Sequence, residues 1–167
     1  PFPLLPQRLA VISSTTAAGL ADFKQQLEDN PYGYQFTLKL FSAAMQGENT
    51  TPEILARLRQ IQSWENTFDA IVLIRGGGGR TDLTAFDDEA LARAVADCKL
   101  PVIVGIGHET DASVLDRVAA RSLKTPTATA VFLIEQLVTA EHRILQLSRA
   151  ISQSGKHQVS TASMQLE

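Results

Sequence analysis

Two points of this chain combine residue types that do chemistry with a glycine setting. Arg75 is followed by four glycines, Gly76 to Gly79. His108 stands between Gly107 and Glu109, with Thr110 and Asp111 next. Glycines after a strand leave backbone N–H groups open to an anion. The planar fork of an arginine suits a phosphate. Arg75 with Gly76, Gly77 and Gly78 therefore reads as a phosphate-holding loop. It is not a Walker A loop, because no Gly-Lys-Ser/Thr closes it. It is not a dinucleotide fingerprint either: four adjacent glycines lack the G-x-G-x-x-G spacing, and no acidic residue closes a following strand. A tight turn alone explains the run poorly, since each glycine forfeits roughly 0.5–1 kcal/mol in chain entropy.

Asp111 lies three residues beyond His108, one helical turn away. A carboxylate there can fix the imidazole tautomer and stabilise the imidazolium. The plainer alternative is a helix start with His108 and Asp111 as solvated caps. The arginine-glycine loop tips the balance toward chemistry. His108, Glu109, Asp111 and Asp116 also cluster as metal ligands could. No H-x-x-x-H spacing or cysteine pair accompanies them, and carboxylates at helix starts are common caps. No metal ligand is assigned. Asp22, taken alone, is an ordinary helix-surface residue. His142 and His157 read as surface, and Cys98 as packing.

The elements that must position these groups follow from apolar periodicity. Leu9-Ala10-Val11-Ile12, Ala70 to Ile74 and Pro101 to Ile106 are buried-strand runs. Phe36 to Phe41 alternates as a further strand. Ser13 to Thr16 offers hydroxyls to cap a helix over about 17–29, with Leu20, Phe23 and Leu27 on one face. Gln46-Gly47-Glu48-Asn49 is a turn, and Thr51-Pro52-Glu53 reads as a cap with proline at the first helical position. A helix around 87–97 completes a β-α-β-α-β-α-β alternation, and a helix over about 111–120 follows it. That pattern predicts an α/β fold: a three-layer parallel sheet flanked by helices. In such sheets ligands bind at the carboxyl ends of strands, so Arg75 and His108 share a rim if their strands are near neighbours. Lys124-Thr125-Pro126-Thr127 opens a long C-terminal helix with coiled-coil character. Leu133, Leu137, Ala140, Ile144, Leu147 and Ile151 hold a/d spacing that fails beyond Ser154-Gly155. The expected division is an α/β domain over 1–128 and, over 129–167, the root of a coiled-coil arm with a polar tail.

With 167 residues and 44% hydrophobic content, the chain can bury a sizeable core without staples. Its net charge of −3 argues against a broad basic nucleic-acid-binding face. One cysteine rules out an internal disulfide and suits a reducing cytoplasm. No apolar run reaches the roughly 18 residues that a membrane span needs. The chain opens Pro1-Phe2-Pro3 without Met and stops inside polar sequence, as an excised piece of a longer protein would.

In order and spacing these motifs resemble the large subunit of bacterial exonuclease VII. The family pattern is matched by Ser13-Ser14, Asp22, Gln46-Gly47, Arg75-Gly76-Gly77-Gly78, Asp82-Leu83, Phe86-Asp87-Asp88-Glu89, Gly107 to Asp111, and Thr125-Pro126-Thr127. The likeness runs from about Leu9 to Glu135. Gly79, Thr81, Ala120 and Ser122 depart from the usual Ser, Glu, Asp and Arg. The resemblance implies hydrolysis of single-stranded DNA to short oligonucleotides, with Asp22, Arg75, His108 and Asp111 catalytic. Ser14, Gln46, Gly76, Gly77, Gly78 and Thr110 would bind substrate. It implies no strictly required cofactor, any Mg²⁺ being dispensable. It further implies an OB-fold upstream, a small subunit bound along the helical arm, no membrane association and a cytoplasmic location. Two other readings of the residues stand beside it: a nucleotide- or sugar-phosphate-binding enzyme or sensor, and a non-catalytic assembly module.

Overall fold

The computed structural model describes residues 2–64, 66–76, 84–106 and 113–164, with side chains described through Ser154. The four apolar runs form strands β1 (Arg8–Ser13), β2 (Thr37–Ser42), β3 (Ala70–Ile74) and β4 (Val102–Gly105). All pair in parallel, in the order β2-β1-β3-β4-β5. Every residue of β3 and β4 is buried, as helices on both faces require of central parallel strands. Edge strand β2 instead exposes Thr37 and Lys39 between half-buried leucines, hence its visible alternation. The fifth strand, β5 (Arg121–Ser122), is two exposed residues long and leaves no periodic signal.

Helices α1 (Ala18–Glu28) and α5 (Pro126–Met164) cover one face. Leu20, Phe23 and Leu27 join Ala130, Leu133 and Ile134 over Leu9, Val11 and Val72. Helices α2 (Thr50–Gln62) and α3 (Glu89–Ala96) cover the other. There Ile54, Leu58, Ile61, Leu91 and Val95 pack on Ala10, Ile12, Ile71 and Leu73. This is the expected three-layer arrangement. A 3₁₀ turn (Thr84–Asp87) and the short helix α4 (Val114–Val118) lie between β3 and β5.

Local starts differ from the sequence reading in three places. The N-cap of α1 is Ala17, which makes no side-chain cap bond. The Ser14 hydroxyl lies 3.2 Å from that of Thr16 instead. Helix α2 begins at Thr50, so Pro52 sits inside its first turn, where its missing N–H leaves no orphan. The Thr51 hydroxyl donates to the Ala85 carbonyl at 3.2 Å rather than capping. Helix α4 spans five residues rather than ten, begun by a capping box of Ser113 and Asp116.

Thr125 caps α5: its hydroxyl accepts the Ala128 N–H at 3.0 Å, with Pro126 at the first helical position. The a/d stripe divides along that helix. Leu133, Leu137 and Ala140 are buried against the domain, whereas Ile144 and Ile151 are 54% and 72% exposed. The helix continues past Gly155, because one interior glycine weakens it by only about 1 kcal/mol relative to alanine. The Tyr34 hydroxyl donates to Glu141 at 2.5 Å, which ties the α1–β2 connection to α5 and pushes the phenol up to about 12.

Asp69 staples the amino-terminal end of the sheet. It accepts the Gln7 and Arg8 amides at 3.1 and 2.7 Å and the Arg8 guanidinium at 2.6 and 3.0 Å. Partial burial pushes the carboxyl up. The bonds and charge of Arg8, with the Gln7 amide, outweigh that and hold it below its ordinary range.

Candidate active site

The register sets the carboxyl ends of three strands level. Ile12 pairs with Leu73, and Ile74 pairs with Gly105. Ser14, Arg75 and Ile106 are therefore the residues just past the sheet on β1, β3 and β4. The strand order reverses between β1 and β3, and such a switch point opens a crevice for ligands. The Arg75 N–H donates to the Gly105 carbonyl at 3.3 Å, carrying the β3–β4 ladder one residue further. Only 5% of Arg75 is exposed, and neighbours engage it. A buried cation demands such engagement, so the guanidinium is held in place rather than swinging free.

Gly76 has a second task. A Cβ built on it would lie 2.0 Å from the Gly19 nitrogen and 2.5 Å from the Gly19 Cα. A Cβ on Gly19 would meet the Pro126 ring at 2.6 Å and the Gly76 Cα at 2.7 Å. The exit of β3 thus runs backbone against backbone over the first turn of α1, with the start of α5 alongside. A Cβ on Gly105 would reach the Thr129 hydroxyl at 2.3 Å, so β4 also leaves the sheet against the first turn of α5. These contacts explain why Thr125-Pro126-Thr127 belongs to the rim although it carries no chemistry. Gly19 had no place in the sequence reading. Its one signal is a glycine in the first turn of a helix, where it weakens the helix.

Asp22 is exposed on α1, one turn beyond Gly19. Ser14 is half-buried at the end of β1, and its carbonyl accepts the Ala17 N–H at 3.2 Å. Gln46 is exposed and engaged in the turn before α2, where Gly47 holds φ at +82°, a conformation that favours glycine. Beside that turn lies a cleft of about 420 Å³, lined in part by Glu48, Asp87 and Asp88. Three carboxylates repel a phosphate, so this cleft is not the anion site. Gly77, Gly78, His108, Thr110 and Asp111 lie outside the described residues. Their segments leave the rim at Gly76 and Ile106 and rejoin the described structure at Thr84 and Ser113.

Asp116, one of the four residues weighed as a metal cluster, is occupied otherwise. One oxygen accepts the Ser113 N–H and hydroxyl at 2.9 and 2.7 Å; the other accepts the Ser122 hydroxyl at 2.6 Å. It is a structural cap linking α4 to β5. Among the described residues no group of three His, Cys, Asp or Glu is placed to hold a metal ion. Cys98 packs beside α3. Burial pushes its thiol up, and its sulfur accepts from Gln62 at 3.2 Å. Among the described residues no helix is long and apolar enough to cross a membrane.

Comparison with known proteins now adds to this geometry. The family described as "Exonuclease VII, large subunit" matches residues 1–167. The exodeoxyribonuclease 7 large subunit of Moorella thermoacetica is 36% identical over 167 residues, which is all of this chain and 41% of the relative. That of Bordetella avium is 40% identical over 150 residues, covering 87% of this chain and 32% of the relative. The chain thus spans about two-fifths or less of these curated relatives. A crystal structure of a 3-dehydroquinate dehydratase-like protein from Bifidobacterium longum covers 80% of this chain and 97% of its own. At 12% identity and a TM-score of 0.42, that likeness carries no argument. Over its whole length, the chain belongs to the exonuclease VII large-subunit family.

Proposed function

We propose that this chain contains the catalytic centre of a nuclease that hydrolyses single-stranded DNA to short oligonucleotides. The observation that carries the reading is the family match over all 167 residues, made on a chain whose Arg75-Gly76 exit sits at the sheet's switch point. A sensor of free nucleotides or an inert assembly module explains that match less well.

In the proposed reaction Arg75 and the N–H groups of Gly76 to Gly78 hold the scissile phosphate and stabilise the charge that grows on it. Arg75 takes the part that metal ions play in two-metal nucleases. His108 activates water or attacks phosphorus itself, and Asp111 orients the imidazole. Asp22 protonates the leaving oxygen or gives His108 a second support. Ser14, Gln46 and Thr110 line the substrate's path. Residues 1–128 form the catalytic domain, and 129–167 root an arm for the small subunit, with Ile144, Leu147 and Ile151 exposed for that contact. The net charge of −3 fits a division of labour in which an OB-fold elsewhere in the protein gathers the DNA. The reading places the protein in the cytoplasm, away from membranes.

The test is single-turnover cleavage of a labelled oligonucleotide beside equilibrium binding, using the full-length large subunit with its small subunit. Wild type is expected to cleave in EDTA. His108→Ala should lose on the order of 10²–10⁴-fold in rate, the usual range of a proton-transfer group, with DNA affinity retained. Activity abolished by chelator and restored by Mg²⁺ would put a metal in Arg75's place. Wild-type cleavage by His108→Ala would remove the catalytic assignment. Trapping of a phosphohistidine would decide for the nucleophilic route.

A further inference from the structure

We infer that the β5 edge of the sheet is a phosphate track, along which single-stranded DNA lays its backbone on the way to the rim. This rests on the nuclease reading above and names the substrate contact beside that site. The sequence gathers cations there. Arg117, Arg121 and Lys124 stand in a stretch with no Asp or Glu between Asp116 and Glu135. All three are exposed. Among the described residues none of them forms an ion pair, and Arg121 donates only to the neighbouring Ala120 carbonyl at 3.3 Å. On a chain of net charge −3 this edge is a local exception.

The register leads this edge to the rim. Strand β5 runs parallel to β4, with Ser122 beside Val104. The Leu123 N–H donates to the Val104 carbonyl at 2.8 Å, which carries the pairing on and brings Lys124 level with Ile106, just past the sheet. The Thr125 carbonyl is close as well, 3.3 Å from where a Cβ on Gly105 would stand. Arg75 leaves the sheet on the other side of β4, its N–H on the Gly105 carbonyl. Two strand spacings, about 10 Å, therefore separate the backbones at Arg75 and Lys124. From Lys124 the cations continue to Arg121, about 10 Å back along the chain, and to Arg117 on α4, which the Asp116–Ser122 bond ties to β5. The carboxylates nearby are occupied. Asp116 accepts from Ser113 and Ser122, and Asp87 accepts the Val114 N–H at 2.8 Å. The cleft beside Gly47 has the opposite sign and repels a phosphate, so the rim draws the DNA backbone toward β5. Guanidinium and ammonium groups bind phosphate strongly and without base preference.

The experiment uses the full-length large subunit with its small subunit. It compares wild type, a triple alanine variant (Arg117→Ala, Arg121→Ala, Lys124→Ala), a triple variant that keeps the charges (Arg117→Lys, Arg121→Lys, Lys124→Arg), Lys99→Ala and His108→Ala. Labelled oligo-dT is titrated at several salt concentrations. Equilibrium binding is read beside the oligonucleotide concentration that gives half the maximal single-turnover rate. Each phosphate contact on a single strand adds about 0.7 to the slope of log affinity against log salt. The alanine triple should lose about 2 from that slope, bind about 10-fold or more weakly at low salt, and need correspondingly more DNA for half the maximal rate. The charge-keeping triple should recover most of all three, which a merely structural role would not allow. Lys99 is exposed at the amino-terminal end of β4, off the track, and Lys99→Ala should match wild type. An alanine triple with the wild-type slope and half-saturation overturns the inference. So does a charge-keeping triple as weak as the alanine one, or a Lys99→Ala that loses as much slope per charge as the triple. If His108→Ala is inactive in the same assay, such a failure belongs to the track alone. If wild type does not cleave, or His108→Ala cleaves normally, the nuclease reading fails and this inference falls with it.

Discussion

Gly76→Ala gives the sharpest test of how the rim is built. The new methyl carbon would lie 2.0 Å from the Gly19 nitrogen and 2.5 Å from its Cα. Both are backbone atoms, and no rotamer relieves them. Carbon contacts settle near 3.5–4.0 Å, so β3's exit and α1 must part by roughly 1 Å or more. The φ of Gly76 is not in the left-handed region, so the loss comes from space and not from backbone strain. Overpacking of this kind costs typically 1–3 kcal/mol. At about 2–4 °C per kcal/mol for a chain of this size, the melting temperature should fall by several degrees. Arg75 is the adjacent residue, and its guanidinium moves with the exit. A displacement near 1 Å at a reacting centre can cost on the order of 10²-fold in rate. Thermal unfolding of this chain and single-turnover cleavage by the full-length protein read the two effects. A Gly76→Ala protein with wild-type melting temperature and wild-type rate would refute the close packing of β3 on α1 and its role in placing Arg75.

Arg75→Lys should cleave nearly as poorly as Arg75→Ala, because a point charge cannot reproduce a bidentate fork; near-normal cleavage by the lysine variant would reduce Arg75 to a simple counter-charge. Thr125→Ala should destabilise the chain by about 1 kcal/mol through loss of the α5 cap, with Thr125→Ser restoring it; equal stability of all three in urea would dismiss the cap. Asp69 has a folded pKa held below its ordinary 3.8, so its stabilisation is present above that value and is lost as the pH falls below about 4. Asp69→Asn should be less stable than wild type at neutral pH, and the gap should close on acidification; a gap independent of pH would contradict the Arg8–Asp69 account.

Much of this architecture is legible in the chain itself. The strands at Leu9, Ala70 and Val102 show because central parallel strands are buried on both faces and leave unbroken apolar runs. The rim position of Arg75 follows from strand ends alone. What escapes is tertiary. Ser13 to Thr16 carries the composition of a cap, yet Ala17 holds the cap position and the Ser14 and Thr16 hydroxyls pair with each other. Thr51 looks like a cap before proline, yet its hydroxyl is drawn to Ala85, 34 residues away. Gly19 is an unremarked glycine, and Gly76 reads only as part of the anion loop, until the fold lays one on the other. Asp87 and Asp116 resemble any acidic helix starts, and only the donors they accept from, the Val114 N–H and the Ser122 hydroxyl, distinguish them. The a/d stripe of α5 is one pattern with two uses, first inside the domain and then clear of it, and spacing alone does not tell where the change falls.

The central claim is that residues from the ends of β3 and β4 act on one phosphate. A double-mutant cycle on single-turnover cleavage measures it directly, with Arg75→Ala, His108→Ala and the double variant in the full-length protein with its small subunit. Groups that act as a unit are strongly non-additive. The account predicts that the double variant is about as slow as the worse single variant, with DNA binding unchanged throughout. A double variant slowed by the product of the two single effects would place Arg75 and His108 in separate roles and contradict the shared site.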